Sequence, residues 1–211
     1  MSKEKRLTPA ILKKFCHELV KTEPKFQMVI DSYGYPPLWN RESGFSTLVH
    51  IILEQQVSLE SAKAAMGKLQ SVLGIVRPES FLELSDFELK TVGFSRQKTA
   101  YCRDLAVKII NQELLLDRLE ELDSDSVRAE LIKVKGIGRW TSDVYLLMVL
   151  LRPDIWPKGD IALAAAYKEL FGLTKIPTQH ELEIIAERWR PFRSVAARLL
   201  WTFYLGKRGK L

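Results

Sequence analysis

Helical periodicity is the feature that most limits the folds open to this chain of 211 residues. Apolar residues recur at steps of three and four along most segments, and no run alternates apolar and polar residues between turn signals. Helix-start signals accompany this period: Thr8 stands before a proline, and Ser85 with Glu88 and Thr178 with Glu181 have the spacing of capping boxes. We therefore predict an all-α fold of about ten helices joined by short links.

Glycine and proline indicate where several of these helices end or begin. Gly74 and Gly93 follow apolar helical stretches and are predicted to end them. The segment SYGYPPLWN, rich in proline, glycine and aromatic residues, is predicted to be a loop. Pro191 is predicted to start the last helix, which then runs to about Leu205.

The charge balance suggests the class of partner. Lysine and arginine exceed aspartate and glutamate by 32 − 26 = 6, which gives an isoelectric point near 9.3. Such a surplus is typical of proteins that bind a polyanion, most simply nucleic acid, although many soluble proteins share it. The longest apolar run, Val144 to Leu151, is far shorter than the ~20 residues of a membrane span. The charged N-terminus lacks a signal peptide's apolar core. We expect a soluble protein of the cytoplasm or nucleoid, or of the nucleus in a eukaryote.

Cysteine and histidine are too few and too scattered for the common metal centres. The two cysteines, Cys16 and Cys102, lie far apart, and the three histidines form no pair at metal-ligand spacing. An iron–sulfur cluster and a structural zinc site are therefore excluded. Both cysteines stand at helical spacing among apolar residues and are predicted to be small buried side chains.

A glycine-rich turn is the first candidate site. In VKGIGRW, Gly136 and Gly138 stand two residues apart between two predicted helices. Glycines permit a tight turn with positive φ and leave the peptide N–H groups uncovered, and the helix that follows adds partial positive charge. Such a turn can hold a phosphate oxygen without contacting any base. A plain link between two helices explains the same residues.

The second candidate is a single aspartate. Asp160 follows the loop WPKG and directly precedes an apolar helical run. Helix capping alone accounts for an aspartate at such a position. The combination is more informative, because this lone aspartate follows the glycine turn by 22 residues, counted from Gly138.

This combination resembles the helix-hairpin-helix DNA glycosylase superfamily, and KGIGRWTSD with WPKGDIAL is similar to its DNA-3-methyladenine glycosylase II group. LVHIILEQQVSLESA resembles the family's helix that enters the minor groove, and VGFSRQKTAYCRDLA and ERWRPFRSVAARLLW resemble further family segments. The resemblance covers roughly positions 40 to 205, with four motifs in the family's order. The resemblance implies a compact form, without the N-terminal β-domain that some members carry.

The resemblance implies an architecture of two helical subdomains with the site in the cleft between them. Residues 1–40 and 152–211 would form a helical layer from both chain ends. Residues 41–151 would form a central helical bundle that ends in the helix-hairpin-helix at about 126–151.

The resemblance also implies which residues bind a flipped-out base and which residue assists cleavage of its glycosidic bond. Asp160 would be the catalytic carboxylate that stabilises the positive charge on the sugar as the glycosidic bond breaks. Trp140, Trp201 and Tyr145 would line the base pocket, where indole rings stack on a cationic purine, although tryptophans most often pack a core. Packing is assigned to the remaining tryptophans, which are Trp39, Trp156 and Trp189.

Contacts to the DNA follow from the same motifs. Gln56 would be the wedge that fills the gap in the base stack, with Gln55 beside it, although two glutamines at a helix end can simply face solvent. A phosphate would be held by the amides of the hairpin and by the Thr141 hydroxyl. The complete set of implied DNA contacts is Gln55, Gln56, Lys135, Gly136, Gly138, Arg139 and Thr141.

Family members also bind a monovalent cation through hairpin carbonyls. These positions correspond to the backbone carbonyls of Ile132, Val134 and Ile137, which would hold Na⁺ or K⁺ as a structural ion. No cofactor is required for the reaction.

The implied function is that of a monofunctional DNA glycosylase of base-excision repair. It would hydrolyse the N-glycosidic bond of alkylated purines such as 3-methyladenine and 7-methylguanine in double-stranded DNA and leave an abasic site. Relatives that also cut the backbone carry a lysine where this chain has Trp140, and Arg139 cannot replace it because a guanidinium stays protonated. A monomer without membrane attachment is expected. Two alternatives stay open: a catalytically silent protein of the same fold that binds damaged or abasic DNA, and a helical protein–protein scaffold.

Overall fold

The computed structural model describes residues 6–211, and over that range helices are the only regular elements. The α-helices α1 to α12 are, in chain order, Pro9–Thr22, Lys25–Tyr33, Phe45–Glu54, Leu59–Leu73, Pro78–Glu83, Asp86–Val92, Arg96–Ile110, Ser124–Ile132, Arg139–Met148, Ile161–Phe171, Gln179–Glu187 and Arg193–Gly206. A 3-10 helix spans Leu116–Glu121. The predicted all-α fold is confirmed. Short helices such as α5, with 6 residues, carry too few turns to show a clear period.

Side-chain caps hold the helix ends that the sequence predicts. Both predicted capping boxes form, with the Ser85 N–H donating to Glu88 Oε2 at 2.8 Å and the Thr178 N–H donating to Glu181 Oε2 at 2.7 Å. Gly93 ends α6 in the left-handed conformation, at φ 110°. Local capping chemistry therefore sets these boundaries, as expected from the residue types.

The last helix begins later than predicted. α12 starts at Arg193, because Pro191 lies in the turn before the helix. The N–H of Phe192 donates to the carbonyl of Trp189 at 2.7 Å and closes that turn. The predicted helix start at Pro191 is therefore wrong, because α12 begins after it, at Arg193.

Helices from both ends of the chain form one compact unit, which comprises the described residues up to Asn40 together with Leu146–Leu211. α12 is its central element and packs against α1, α2 and α10. Every α12 residue from Ser194 to Thr202 is buried. Trp156 and Trp189 are also buried, which confirms their assignment to packing. This unit therefore has a core of its own.

The second unit is Arg41–Tyr145. Its helix α3 packs against α4 and α7, while α5 and α6 also pack on α7. Six residues of α3 are buried, and each large aliphatic side chain so placed contributes roughly 1.5–3 kcal/mol. These buried side chains hold the last turn of α3, which directly precedes Gln55 and Gln56, against the rest of the unit.

The division between the units can be compared with the one drawn from the sequence. The boundary between residues 40 and 41 coincides with it, whereas the second boundary follows Tyr145 rather than residue 151. This boundary lies inside α9, so one continuous helix contributes residues to both units. A helical period has no feature that would mark such a division.

The sequence predicts neither a membrane span nor a signal peptide. Within residues 6–211, no helix combines the length and apolarity that a membrane crossing requires. The expectation about a signal peptide concerns in part residues 1–5, which lie outside the described range.

Cys16 and Cys102 are both buried, as predicted, and burial raises the pKa of the Cys16 thiol to about 12. A thiol with such a pKa stays protonated and serves as a packing group.

Candidate functional site

Asp160 is the N-cap of α10, where the proline- and glycine-containing loop turns into the helix. Gly159 has a φ of 79°, which lets the chain turn directly before the aspartate. Oδ1 of Asp160 accepts a hydrogen bond from the N–H of Leu163 at 2.9 Å. The positive end of the helix dipole stabilises a negative charge here. The side chain is only half-buried, so a fixed carboxylate remains accessible from outside.

The same carboxylate has a partner in α12. Nε1 of Trp201 donates to Oδ1 of Asp160, with the two atoms 3.3 Å apart. Both residues belong to the unit formed by the chain ends. Trp201 is 8% exposed, so the donor side of this hydrogen bond is buried, while the carboxylate that accepts it is half-exposed. The structure therefore brings together two predicted site residues, and Trp201 contacts the carboxylate itself.

The glycine-rich turn lies between α8 and α9, in the second unit, and rests on a tyrosine ring. Gly136 has a φ of 81°, and a Cβ there would come within 2.0 Å of Cδ2 of Tyr101. The N–H of Lys135 donates to Oδ2 of Asp104 at 2.7 Å. Tyr101 and Asp104 are three residues apart on one face of α7. This face of α7 therefore fixes the turn, and only glycine fits above the ring.

The first amides of α9 follow this turn directly. The helix begins at Arg139, immediately after Gly138, and the first amides of an α-helix have no partner within the helix. Gly138 is exposed, and a Cβ there would meet no atom within 4 Å. The space above these amides is therefore open to an anion, as the phosphate prediction requires.

Gln55 holds the turn from the side of α3. Its Nε2 donates to the carbonyl of Gly136 and to Oγ1 of Thr141, each at 2.9 Å. Thr141 is 2% exposed, so its hydroxyl faces the interior and Gln55. Gln55 therefore does not simply face solvent, and its contact with DNA stays a prediction. The buried Thr141 hydroxyl, in contrast to the prediction, is not on the surface that a phosphate would approach.

Gln56, in contrast, stands at an exposed tip. It has a φ of 55°, a conformation that costs a non-glycine residue of order 1–3 kcal/mol and is enriched at functional sites. The end of α3 just before it is fixed, because Nζ of Lys98 donates to the carbonyl of Leu53 at 2.7 Å. Burial lowers the pKa of the Lys98 ammonium. The predicted wedge residue, Gln56, is therefore exposed and follows a helix end that a hydrogen bond holds in place.

A buried carboxylate joins the two helices of the hairpin. Asp143 is 0% exposed, and it accepts hydrogen bonds from Nε of Arg128 at 2.6 Å and Nε of Arg139 at 2.9 Å. Arg128 belongs to α8, and the other two residues belong to α9. The Arg139 side chain is 46% exposed, so one edge of its guanidinium pairs with Asp143 while part of it faces outward.

The remaining predicted residues of this unit differ in their accessibility. Lys135 is exposed and Trp140 is half-buried, so both have surface to offer a ligand. Tyr145 is fully buried, and its hydroxyl pairs with that of Ser43 at 2.9 Å. Burial raises the pKa of the Tyr145 phenol. Tyr145 has the position of a core residue, and we leave it out of the pocket.

The carbonyls predicted to hold a cation lie where α8 gives way to the turn. Ile132 is the last residue of α8, and the other two carbonyls belong to Val134 and Ile137. The carbonyl of Val134 accepts the N–H of Ile137 at 3.1 Å and retains a second lone pair. Carbonyls after a helix C-terminus carry partial negative charge, which suits a cation. Among the described residues, no cluster of three or more His, Cys, Asp or Glu side chains is arranged for a metal.

Several supporting residues were not identified from the sequence. The spacing of Arg139 and Asp143, four residues apart on a helix, is a visible signal for their ion pair. Tyr101 and Asp104 have no such signal, because their role depends on how α7 packs against a turn more than 30 residues away. The same holds for the bond between Trp201 and Asp160.

Comparison with known proteins identifies the family. A model of a family described as HhH-GPD superfamily base excision DNA repair protein matches residues 49–191. DNA-3-methyladenine glycosylase 1 of Schizosaccharomyces pombe is 29% identical over 166 residues, which are 76% of this chain and 72% of that protein. YfjP of Bacillus subtilis is 28% identical over 181 residues, which are 82% of this chain but 63% of YfjP. The chain thus spans less than two thirds of the length of YfjP.

A solved structure shares the fold. The 3-methyladenine DNA glycosylase Mag1 of Schizosaccharomyces pombe, in complex with abasic DNA, matches with a TM-score of 0.85 and 24% identity. The match covers 92% of this chain and 97% of the other. The family model itself covers more than half of the chain. The protein therefore belongs to the HhH-GPD superfamily of base excision DNA repair proteins.

Proposed function

We propose that this chain is a monofunctional DNA glycosylase that removes alkylated purines, such as 3-methyladenine and 7-methylguanine, from double-stranded DNA. The observation that carries the proposal is the Asp160 carboxylate, half-exposed and fixed by both the Leu163 N–H and the Trp201 indole. The names of the relatives support the same substrate class. A helix cap alone would not need the second donor from α12.

The chemistry assigned to Asp160 is electrostatic. As the glycosidic bond breaks, the sugar gains oxocarbenium character, and a carboxylate placed beside it stabilises the positive charge. The same oxygen atoms are suited to orient the attacking water or accept its proton. An alkylated purine that is already cationic leaves without being protonated. A single carboxylate is therefore sufficient for this reaction.

Binding of the DNA is assigned to the second unit. The amides at Gly136 and Gly138 would hold a phosphate, and the outward-facing parts of Lys135 and Arg139 would add positive charge. Gln56 would occupy the gap that the flipped nucleotide leaves. Flipping costs a few kcal/mol, which these contacts would offset. The hairpin carbonyls would hold Na⁺ or K⁺ beside the phosphate.

Trp201 would lie beside the extruded base chiefly as the donor that holds the Asp160 carboxylate. The absence of lyase activity is part of the proposal, because Trp140 occupies the position where lyases of this family have their lysine. An indole cannot form the Schiff base that strand cleavage requires. We further propose that the protein acts as a monomer.

Release of free base from methylated duplex DNA tests the proposal directly. The parent protein should release 7-methylguanine and leave the strand intact, and Asp160→Asn should abolish release while abasic duplex is still bound. Tight binding without release by the parent would favour the silent damaged-DNA binding protein instead. Strand cleavage by the pure protein, without added alkali, would refute the monofunctional assignment.

A further inference from the structure

Trp39, one of the three tryptophans assigned to packing, is less buried than the other two, Trp156 and Trp189. It lies in the loop between α2 and α3 and is half-buried, so part of the residue is accessible to solvent. Its φ of 46° is a left-handed conformation that bulky residues rarely adopt. Its ring meets that of Trp201 at a centroid distance of 6.2 Å and an angle of 74°. Trp39 therefore packs beside the indole that holds Asp160.

A buried guanidinium fixes this loop. Arg198 is 0% exposed, and it donates to the carbonyl of Leu38 through Nε at 3.2 Å and through Nη2 at 3.0 Å. It also donates to the carbonyls of Ser194 and Leu147. Burial lowers the pKa of the Arg198 guanidinium to about 9, so it remains charged at neutral pH. A buried cation is costly unless its donors are satisfied, and here two of the bonds hold the residue next to Trp39.

The exposure of the two indoles differs in a way that bears on base stacking. Trp201 is 8% exposed, and its N–H is engaged by Asp160, so little of its ring face is available to a ligand. Trp39 lies directly beside it and is only half-buried, so more of this residue than of Trp201 is accessible. A strained conformation held by a buried charge is typical of a residue that is placed for a ligand.

We propose that Trp39 is an aromatic wall of the base pocket beside Asp160, and that it stacks on the extruded cationic purine. Trp201 is then chiefly the donor that holds the carboxylate, and Arg198 is a positioning residue that acts through the Leu38 carbonyl. The inference rests on the proposed function, because it assumes that a nucleobase enters near Asp160. It assigns to Trp39 the stacking surface that Trp201 lacks.

The test measures lesion binding separately from catalysis. Affinity is measured for two duplexes, one carrying 2′-fluoro-7-methylguanosine, whose glycosidic bond resists hydrolysis, and one carrying a tetrahydrofuran abasic analogue. The variants are Trp39→Leu, which removes the π face, and Trp39→Phe, which keeps a smaller one. Tyr35→Leu is the matched control, since Tyr35 is an exposed aromatic of the same loop. Release of 7-methylguanine from cleavable duplex is measured in parallel.

Trp39→Leu should reduce the preference for the lesion duplex over the abasic duplex by about 10-fold, with abasic affinity within about twofold of the parent. Trp39→Phe should lose part of that preference, and Tyr35→Leu none of it. If Trp39→Leu is unstable, the partial loss in Trp39→Phe remains decisive. An unchanged preference, or an equal loss on both duplexes, overturns the proposal.

Failure of the proposed function gives a different result. A parent that prefers the lesion duplex through Trp39 but releases no base supports the pocket and refutes the enzyme. A parent that releases base while Trp39→Leu and Trp39→Phe keep full lesion preference refutes the pocket alone. A parent with neither release nor preference refutes both.

Discussion

The indole N–H of Trp201 donates to Oδ1 of Asp160 over 3.3 Å, and it joins α12 to the N-terminus of α10. The same oxygen also accepts the Leu163 N–H, which caps the helix. The first bond comes from a tertiary contact and the second from local helix geometry. Together they fix both the position and the rotation of the carboxylate, which is what electrostatic stabilisation of a developing charge requires.

Trp201→Phe removes this donor while it keeps an aromatic ring in α12. Hydrogen bonds to charged groups contribute about 1.5–3 kcal/mol, so the single-turnover rate of 7-methylguanine release should fall by about 10-fold or more. Affinity for an abasic duplex should stay close to that of the parent, because the hairpin is untouched. Trp156→Phe, a buried tryptophan of the same unit, is the control. Equal rates for Trp201→Phe and the parent would show that the bond does not serve the reaction.

Gln55→Leu replaces the two donors that hold Gly136 and Thr141 with an apolar side chain of similar size. Each lost hydrogen bond is worth about 1 kcal/mol, so affinity for an abasic duplex should weaken by about 10-fold. The slope of affinity against salt concentration should not change, because no cationic contact is removed. Gln27→Leu, at an exposed position of α2, serves as the control. A smaller salt slope in Gln55→Leu would contradict a purely positioning role.

Gly136→Ala should destabilise the protein by about 2 kcal/mol or more, because a Cβ is disfavoured at this φ and would meet the ring of Tyr101. Gly138→Ala is the matched control, since a Cβ there meets no atom within 4 Å. Thermal unfolding followed by circular dichroism measures both changes. In a protein that already carries Tyr101→Ala, the change Gly136→Ala should lower the melting temperature less than it does in the parent. Equal melting temperatures for the two alanine variants would be incompatible with the close contact.

Much of this fold follows from residue types within a few positions of each other. The capping boxes at Ser85 and Thr178 and the N-cap at Asp160 form as predicted, because each depends on a side chain and an amide three residues away. Pro191 was misassigned because a proline at the end of a turn has the same local signature as a proline at the first position of a helix.

The supports of the site depend on long-range packing and are hidden in the sequence. The pairs Gln55–Gly136 and Trp201–Asp160 are separated by 81 and 41 residues, so no periodic pattern connects them. The exposure of Trp39 likewise depends on how Arg198 holds the preceding carbonyl. Residue types indicated which groups do the chemistry, whereas packing decides which groups hold them in place.

Asp143→Asn tests the buried ion pairs of the hairpin. The change leaves the guanidinium of Arg128, whose side chain is 10% exposed, without its buried counter-charge, and breaking such a pair costs about 3 kcal/mol. Asp125→Asn removes the other partner of Arg128, but that carboxylate is 90% exposed and should cost at most about 1 kcal/mol. Chemical unfolding of the two variants gives the comparison. Similar losses for both would mean that burial of Asp143 adds nothing to its pairing.

The pH dependence of the free energy of unfolding should show the titration of the His50 imidazole. Burial lowers the pKa of this imidazole from its ordinary value of 6.5, with Glu54 opposing the shift and Arg41 adding to it, while Lys63 lines the same surface pocket. The unfolded chain therefore binds a proton at a higher pH than the folded chain does. The contribution of the neutral imidazole is present above pH 6.5 and is lost as the pH falls below that value toward the folded pKa.

His50→Gln removes the titrating group while it keeps a polar side chain on α3. The difference in unfolding free energy between the parent and the variant should shift against the parent as the pH falls through 6.5, and it should be constant at higher pH. Unfolding in denaturant at a series of pH values, at constant ionic strength, measures this difference. A shift in favour of the parent on acidification would mean that Glu54 outweighs burial and raises the folded pKa, because an ion pair with a charged imidazole would then form in the folded state.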